Sequence, residues 1–254
     1  MPAPLTLLRA IIAAEVVFSL GGCTALGIGT PADAASESCT DSPIAASVLW
    51  DASGTSAGEQ IYTERIEIVR DVVRRTALCN GRFRLSLFSG STGAASNVFD
   101  GNLHIVGATD QAKLRKADKY VSGIVADIEK GFQAAVSSLP EKGSDIVAVL
   151  RLGSEYQSQF PNHQLDLYVL TDGFDNGGAD VDAAKSPESV VDLANTVVVP
   201  ELDGAWVTFA GLGRVADGSG SSAQAETLVS FFTAVCKRSA AASCSVVTDY
   251  VSKW

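Results

Sequence analysis

Three short stretches of this chain gather oxygen donors where a turn could hold them still. The first is Asp51-Ala52-Ser53-Gly54-Thr55-Ser56, a carboxylate and several hydroxyls around a glycine. The second, Lys142-Gly143-Ser144-Asp145-Ile146, puts a hydroxyl at a loop-to-helix boundary. The third, Val169-Leu170-Thr171-Asp172-Gly173, ends an apolar run on a carboxylate and a turn glycine. Carboxylates and hydroxyls are hard donors. A small hard cation such as Mg²⁺ or Mn²⁺ takes six oxygens in an octahedral array, several of them from water and few from carboxylates. The chemistry these residues suggest is cation coordination.

The composition removes most rivals. The 254 residues include only two histidines, His104 and His163, and five cysteines, at 23, 39, 79, 236 and 244, never in a C-x-x-C spacing. Zinc sites of the Cys/His kind are therefore not expected. The 29 acidic against 19 basic side chains leave a net charge of -10, which disfavours phosphate-rich partners such as nucleic acid or an anionic membrane. Gly211-Leu212-Gly213 lacks the third glycine of a dinucleotide loop, and neither a Walker sequence nor a Gly-x-Ser-x-Gly elbow occurs. From Asp172 the EF-hand pattern fails, because Phe174 stands third and Ala183 twelfth. Asp175, Asp180 and Asp182 read as a solvated rim, and the basic groups Arg70, Arg74, Arg75 and Lys113, Arg115, Lys116, Lys119 as solvated helix faces.

The elements that must carry the three stretches follow from periodicity. From Ile44 onward short apolar runs alternate with turns and helical stretches, the form of a parallel sheet covered by helices. Strands are expected at 47–50, 83–88, 103–106, 165–170, 206–210 and 245–248. Several are apolar almost throughout, as strands buried on both faces are. Tyr62, Ile66, Val69, Val73 and Ala77 step by three and four, as do Val121, Ile124, Ile128, Phe132, Ala135 and Leu139, marking helix faces packed on the sheet. The segment 89–102 has no helical period and carries the turn signal Asp100-Gly101, so the second and third strands are expected to form an antiparallel hairpin with the third at the edge. In open parallel sheets ligands bind outside the C-terminal ends of the strands, where the first and third oxygen-rich stretches fall.

The N-terminus reads as an export signal. Arg9 precedes an apolar run, residues 10–20, broken only by Glu15. Two exits compete. Leu20-Gly21-Gly22-Cys23 is similar to a bacterial lipobox, which would make residues 1–22 the signal peptide and Cys23 the lipidated first residue. Ala32-Asp33-Ala34 has the small-x-small form of ordinary cleavage after Ala34, which would free a secreted protein. The lipobox is preferred because a cysteine after two glycines has no other evident purpose. Residues 23–43, rich in Ala, Ser, Gly and Thr, read as a flexible tether. Either exit leaves four cysteines in an oxidising compartment. Helices of an α/β unit run antiparallel to its strands, so a helix C-terminus lies near strand N-termini. Cys79 closes a helix and Cys39 precedes a strand, while Cys236 ends the last helix and Cys244 opens the last strand. Of the three possible pairings we expect Cys39 with Cys79 and Cys236 with Cys244.

Asp51-x-Ser53-x-Thr55, then Gly143-Ser144-Asp145-Ile146 opening a helix, then Thr171-Asp172-Gly173 ending a strand, resembles the von Willebrand factor A (vWA) domain with its metal-ion-dependent adhesion site. The resemblance covers residues 44–254. It implies a Rossmann-like, doubly wound α/β fold: a mostly parallel six-stranded sheet with one antiparallel edge strand and helices on both faces. It also implies a metal site of Asp51, Ser53, Thr55, Ser144 and Asp172, with Asp51 often acting through water. Thr55 stands where the family usually has Ser, and Ser144 where it usually has Thr; both keep the oxygen.

The function implied is a cation-dependent binding module. Mg²⁺, or Mn²⁺ or Ca²⁺, would keep one position for an acidic side chain of a protein partner, with no nucleic acid involved and membrane contact only through the anchor. The domain would be a monomer facing outward from the bacterial envelope, and not an enzyme. Two alternatives stand beside this: a metal-assisted hydrolase using the same cation, or a structural envelope domain with a degenerate site.

Overall fold

The computed structural model describes residues 39–90, 94–140, 143–174, 178–181 and 187–251. The expected signal peptide, Cys23 and most of the expected tether lie outside the described residues.

Six strands form one sheet: β1 Ile44–Asp51, β2 Arg82–Phe88, β3 Ala95–Asn102, β4 Gln164–Leu170, β5 Trp206–Ala210 and β6 Ser243–Val247. Their order is β3-β2-β1-β4-β5-β6, with β3 antiparallel to β2 and every other neighbour parallel. Among the described residues five helices cover it: α1 Glu59–Leu78, α2 Asp110–Ser137, α3 Ile146–Gln159, α4 Pro187–Thr196 and α5 Ser222–Arg238. This is the doubly wound α/β architecture, with one reversed edge strand, that the sequence led us to expect.

Period-two alternation splits the central strands between two cores. In β1, Ala45 and Leu49 face α3, α4 and α5, while Ile44, Ala46, Val48 and Trp50 face α1 and α2. In β4, Leu165, Leu167 and Val169 join the first layer, Tyr168 and Leu170 the second. Burial on both faces explains why these strands read as nearly continuous apolar runs. Local signals start the helices: Thr109 caps α2, Asp145 caps α3 by accepting from Ala148 N, and Ser221 with Gln224 forms a capping box on α5. At Gly153 a Cβ would come within 2.6 Å of Leu167 Cδ2, so glycine lets α3 lie close on β4.

The wiring creates a switch point. The chain leaves β1 through α1 toward β2 on one side, whereas β4 sits on the other side of β1 and leads outward to β5 and β6. The C-terminal ends of β1 and β4 therefore part around a crevice, the place where such sheets bind ligands.

Both expected disulfides form, Cys39–Cys79 and Cys236–Cys244. Two expectations need correction. The third strand is Ala95–Asn102, not 103–106, and Asp100-Gly101 lies inside it. Asp100 pairs opposite Arg84, accepting from its Nε and Nη2 at 2.9 and 2.7 Å and from Arg82 Nη2 at 3.2 Å. This cross-strand ion cluster supplies what apolar alternation does not. His104 then falls in the following loop. The second correction concerns Arg75, which is buried instead of solvated: it pairs with Asp166 of β4 and lies over the Trp206 ring, 5.0 Å from its centroid. Burial of such a charge holds only with a partner in place.

Candidate metal centre

β1 ends on Asp51, whose buried carboxylate organises the turn that follows. Ser53 N donates to Asp51 Oδ1 at 2.9 Å, a local side-chain turn typical of Asp, and the chain then winds through one 3₁₀ turn, Gly54–Ser56. Across the crevice Thr171 Oγ1 donates to Asp51 Oδ2 at 2.7 Å, tying the exit of β1 to that of β4. Both oxygens of Asp51 are thus engaged within the protein.

Asp172 comes next and is equally buried, each carboxylate residue being 0% exposed. Its Oδ1 accepts from Phe174 N at 3.1 Å. Its Oδ2 has no hydrogen-bond partner, and neither has Ser53 Oγ on the opposing loop. Ser144 precedes the cap of α3; its hydroxyl donates to Phe174 O at 3.1 Å, which leaves its lone pairs open. Thr55 is exposed, its carbonyl accepts from Ala216 N at 2.9 Å, and its hydroxyl bears on the Asp172 carboxylate. The five residues singled out from the sequence all gather at this end of the sheet. Among the described residues no three His, Cys, Asp or Glu side chains converge, so a cation here would depend on hydroxyl oxygens.

Gly173 explains how the third stretch turns. Its φ is +87°, and a Cβ there would meet Leu212 Cδ2 at 2.8 Å and Leu228 Cδ2 at 3.2 Å. Gly173→Ala should therefore lower stability by roughly 1–3 kcal/mol, from left-handed strain plus the clash, as read by urea denaturation.

The electrostatics are those of an unbalanced pocket. Burial and then the neighbouring Asp51 charge push the Asp172 carboxyl above the usual carboxylate range, against the pull of the Thr55 hydroxyl, the Phe174 amide and Arg65. Arg65 itself, on α1, is pulled down by burial and held up by Asp51, Asp172 and Glu64. Arg65 and Ser56 are the members of the site to which the sequence assigned no role. The signal was present: Arg65 stands four residues after Ile61 and three before Ile68, on the buried stripe of α1 where a cation needs a reason.

A recess of about 350 Å³ opens beside Asp51, with Trp50, Tyr62, Phe132 and Val136 among its walls and Glu59 on its lining. Both histidines lie at the other end of the sheet, His104 bonded to Asn80 beyond the end of α1 and His163 just before β4. Of the acidic rim, Asp180 is exposed, while Asp175 and Asp182 lie outside the described residues.

The fold and site together describe a doubly wound α/β sheet with an oxygen-lined crevice at its switch point. No protein-family model matches the chain, and neither does any curated protein. Among solved structures the chain is similar to a von Willebrand factor type A structure from Catenulispora acidiphila, at 13% identity over 82% of this chain and 39% of that one, TM-score 0.38. It is also similar to the PilB minor pilin from Streptococcus sanguinis, at 15% identity over 82% and 58% of the two chains, TM-score 0.45. BatB from Bacteroides thetaiotaomicron matches at 13% identity over 82% and 91%, TM-score 0.41.

Proposed function

We propose that the domain is a divalent-cation-dependent protein-binding module of the vWA kind, displayed at the bacterial envelope for adhesion or assembly. The observation that carries this reading is the pair of buried oxygens without partners, Ser53 Oγ and Asp172 Oδ2, on the two loops that Asp51 joins. Buried polar atoms lacking partners are uncommon, and a cation held between the loops would satisfy both. Ser53, Thr55, Ser144 and Asp172 would hold it, and Asp51 would serve from behind, since both its oxygens already accept hydrogen bonds. A bound Mg²⁺, Mn²⁺ or Ca²⁺ supplies an electrophilic position for an acidic group. The chain's part is to orient the hydroxyls, supply little negative charge, and offer the Trp50, Tyr62 and Phe132 recess to the residue beside that acid.

Two disulfides fit an exported protein. Among the described residues no helix is long and apolar enough to cross a membrane. Attachment would come from lipidated Cys23 through the tether, or the domain would be secreted after cleavage behind Ala34.

Asp172→Asn tests the site by stability as well as by binding. A carboxyl whose pKa is raised in the fold stabilises the protein below the ordinary carboxylate range, and that contribution is lost as pH rises through the raised value. In EDTA the difference between wild type and Asp172→Asn should therefore move in favour of the variant as pH rises to neutrality. Mg²⁺ should raise the wild-type melting temperature and leave that of the variant unchanged. Equal Mg²⁺ heats from the two proteins would refute the site. A pull-down from envelope extract with the tethered domain should likewise lose its partner in EDTA.

A further inference from the structure

Arg65 bonds the first loop of the site directly and reaches the second through Ser56, using no carboxylate oxygen. It is 3% exposed. Its Nη1 donates to Asp51 O at 2.7 Å and to Ser56 O at 3.5 Å, and its Nη2 to Ser56 Oγ at 3.1 Å. Ser56 Oγ in turn accepts from Asp172 N at 3.3 Å. One guanidinium fork thus spans the end of β1, the 3₁₀ turn and, through Ser56, the backbone of Asp172. Its Cζ lies 5.9 Å from the Trp50 ring centroid, which closes the remaining side. The oxygens of Asp51 are taken by Ser53 N and Thr171 Oγ1, and Asp172 Oδ2 stays free.

We propose that Arg65 is the built-in counter-ion of this site: it holds the two carboxylate loops in place without a cation and sets the cation's affinity by competing with it for the same negative charge. The affinity half rests on the cation reading above; the counter-ion half does not. The charges decide the sign. Asp51, Asp172 and Arg65 together leave one negative charge in a buried place, and a dication converts this to one positive. Without Arg65 the empty site carries two negative charges and the filled site none. Losing the guanidinium therefore penalises the empty site and favours the filled one. A residue that merely braced the loops would weaken both states alike.

The experiment compares wild type, Arg65→Met, Arg65→Lys, Asp172→Asn and the double variant Arg65→Met with Asp172→Asn. Thermal unfolding in EDTA and Mg²⁺ calorimetry are the two readouts. Arg65→Met should melt at least about 5 °C lower in EDTA and bind Mg²⁺ about tenfold more tightly. Arg65→Lys keeps the charge but not the fork, and should hold the affinity within about twofold while losing some stability. Adding Asp172→Asn should recover part of the melting temperature lost in Arg65→Met, a coupling that needs no metal to be read. If Arg65→Met does not fold in EDTA, a folded double variant supports the counter-ion role and an unfolded one overturns it. Unchanged or weaker Mg²⁺ binding in Arg65→Met overturns the affinity half. Additive effects of the two substitutions in EDTA overturn the counter-ion half. Wild type that takes up no Mg²⁺ sinks the cation reading and the affinity half, and leaves the coupling to decide the rest.

Discussion

Asp51→Ala should abolish the Mg²⁺ heat altogether and lower stability in EDTA by about 3 kcal/mol, the larger of the site's expected effects. The carboxylate is fully buried and accepts from Ser53 N and Thr171 Oγ1. Truncation leaves both donors without an acceptor, at roughly 1–3 kcal/mol each. One term opposes this. Asp51 is also the neighbouring charge that pushes the Asp172 carboxyl up, so its removal relieves Asp172 at neutral pH. Desolvated donors outweigh that relief, because the repulsion is already moderated by Arg65. Asp51→Asn would keep an acceptor for one donor and should cost less stability while still weakening cation binding. Urea denaturation in EDTA gives the stability change and calorimetry the binding. A wild-type Mg²⁺ heat from Asp51→Ala would end the cation reading.

The second large effect is expected at Cys39–Cys79. This bridge closes a loop of 40 residues that contains all of β1, the Asp51 turn and α1. On chain-entropy grounds its loss, in Cys39→Ser with Cys79→Ser, should cost about 4 kcal/mol. The Cys236–Cys244 loop spans 8 residues and should cost about 2.5 kcal/mol on the same basis. The order matters more than either figure. Paired Ser variants, measured by urea denaturation with the other bridge intact, should show the first substitution to be the more damaging. The reverse order would mean that native-state packing around α5 and β6, not the unfolded chain, governs their worth.

Much of this protein was legible in its residues because the signals were local or strictly periodic. Nearly continuous apolar runs at β1, β4 and β5 announced strands buried on both faces, and the three-and-four stripes of α1 and α2 announced their buried sides. Cysteine positions at helix and strand ends allowed the pairing to be expected, because helices of α/β units run antiparallel to their strands. The third strand was not legible: Ala95–Asn102 is half-exposed and nearly devoid of apolar alternation. It is held by Arg82 and Arg84 reaching Asp100 from the neighbouring strand, an interaction between residues 16 to 18 apart. Arg75 was misread for a related reason, since its partner Asp166 stands 91 residues away.

The site divides in the same way. Which oxygens are available, and that each stands at the end of a strand or the start of a helix, is written in the sequence, because turn chemistry acts over two or three residues. Which of them are left without a partner, and which charge lies behind them, depends on groups brought together from α1, β1, β4 and α3. Residue type and spacing picked out the candidate donors. Only the packed structure could show that Asp51 is engaged on both oxygens, that Ser53 and Asp172 keep an oxygen free, and that Arg65 is buried beneath them. Burial is a property of the assembled core, and it decides whether a charge is screened by water or must be answered by another charge.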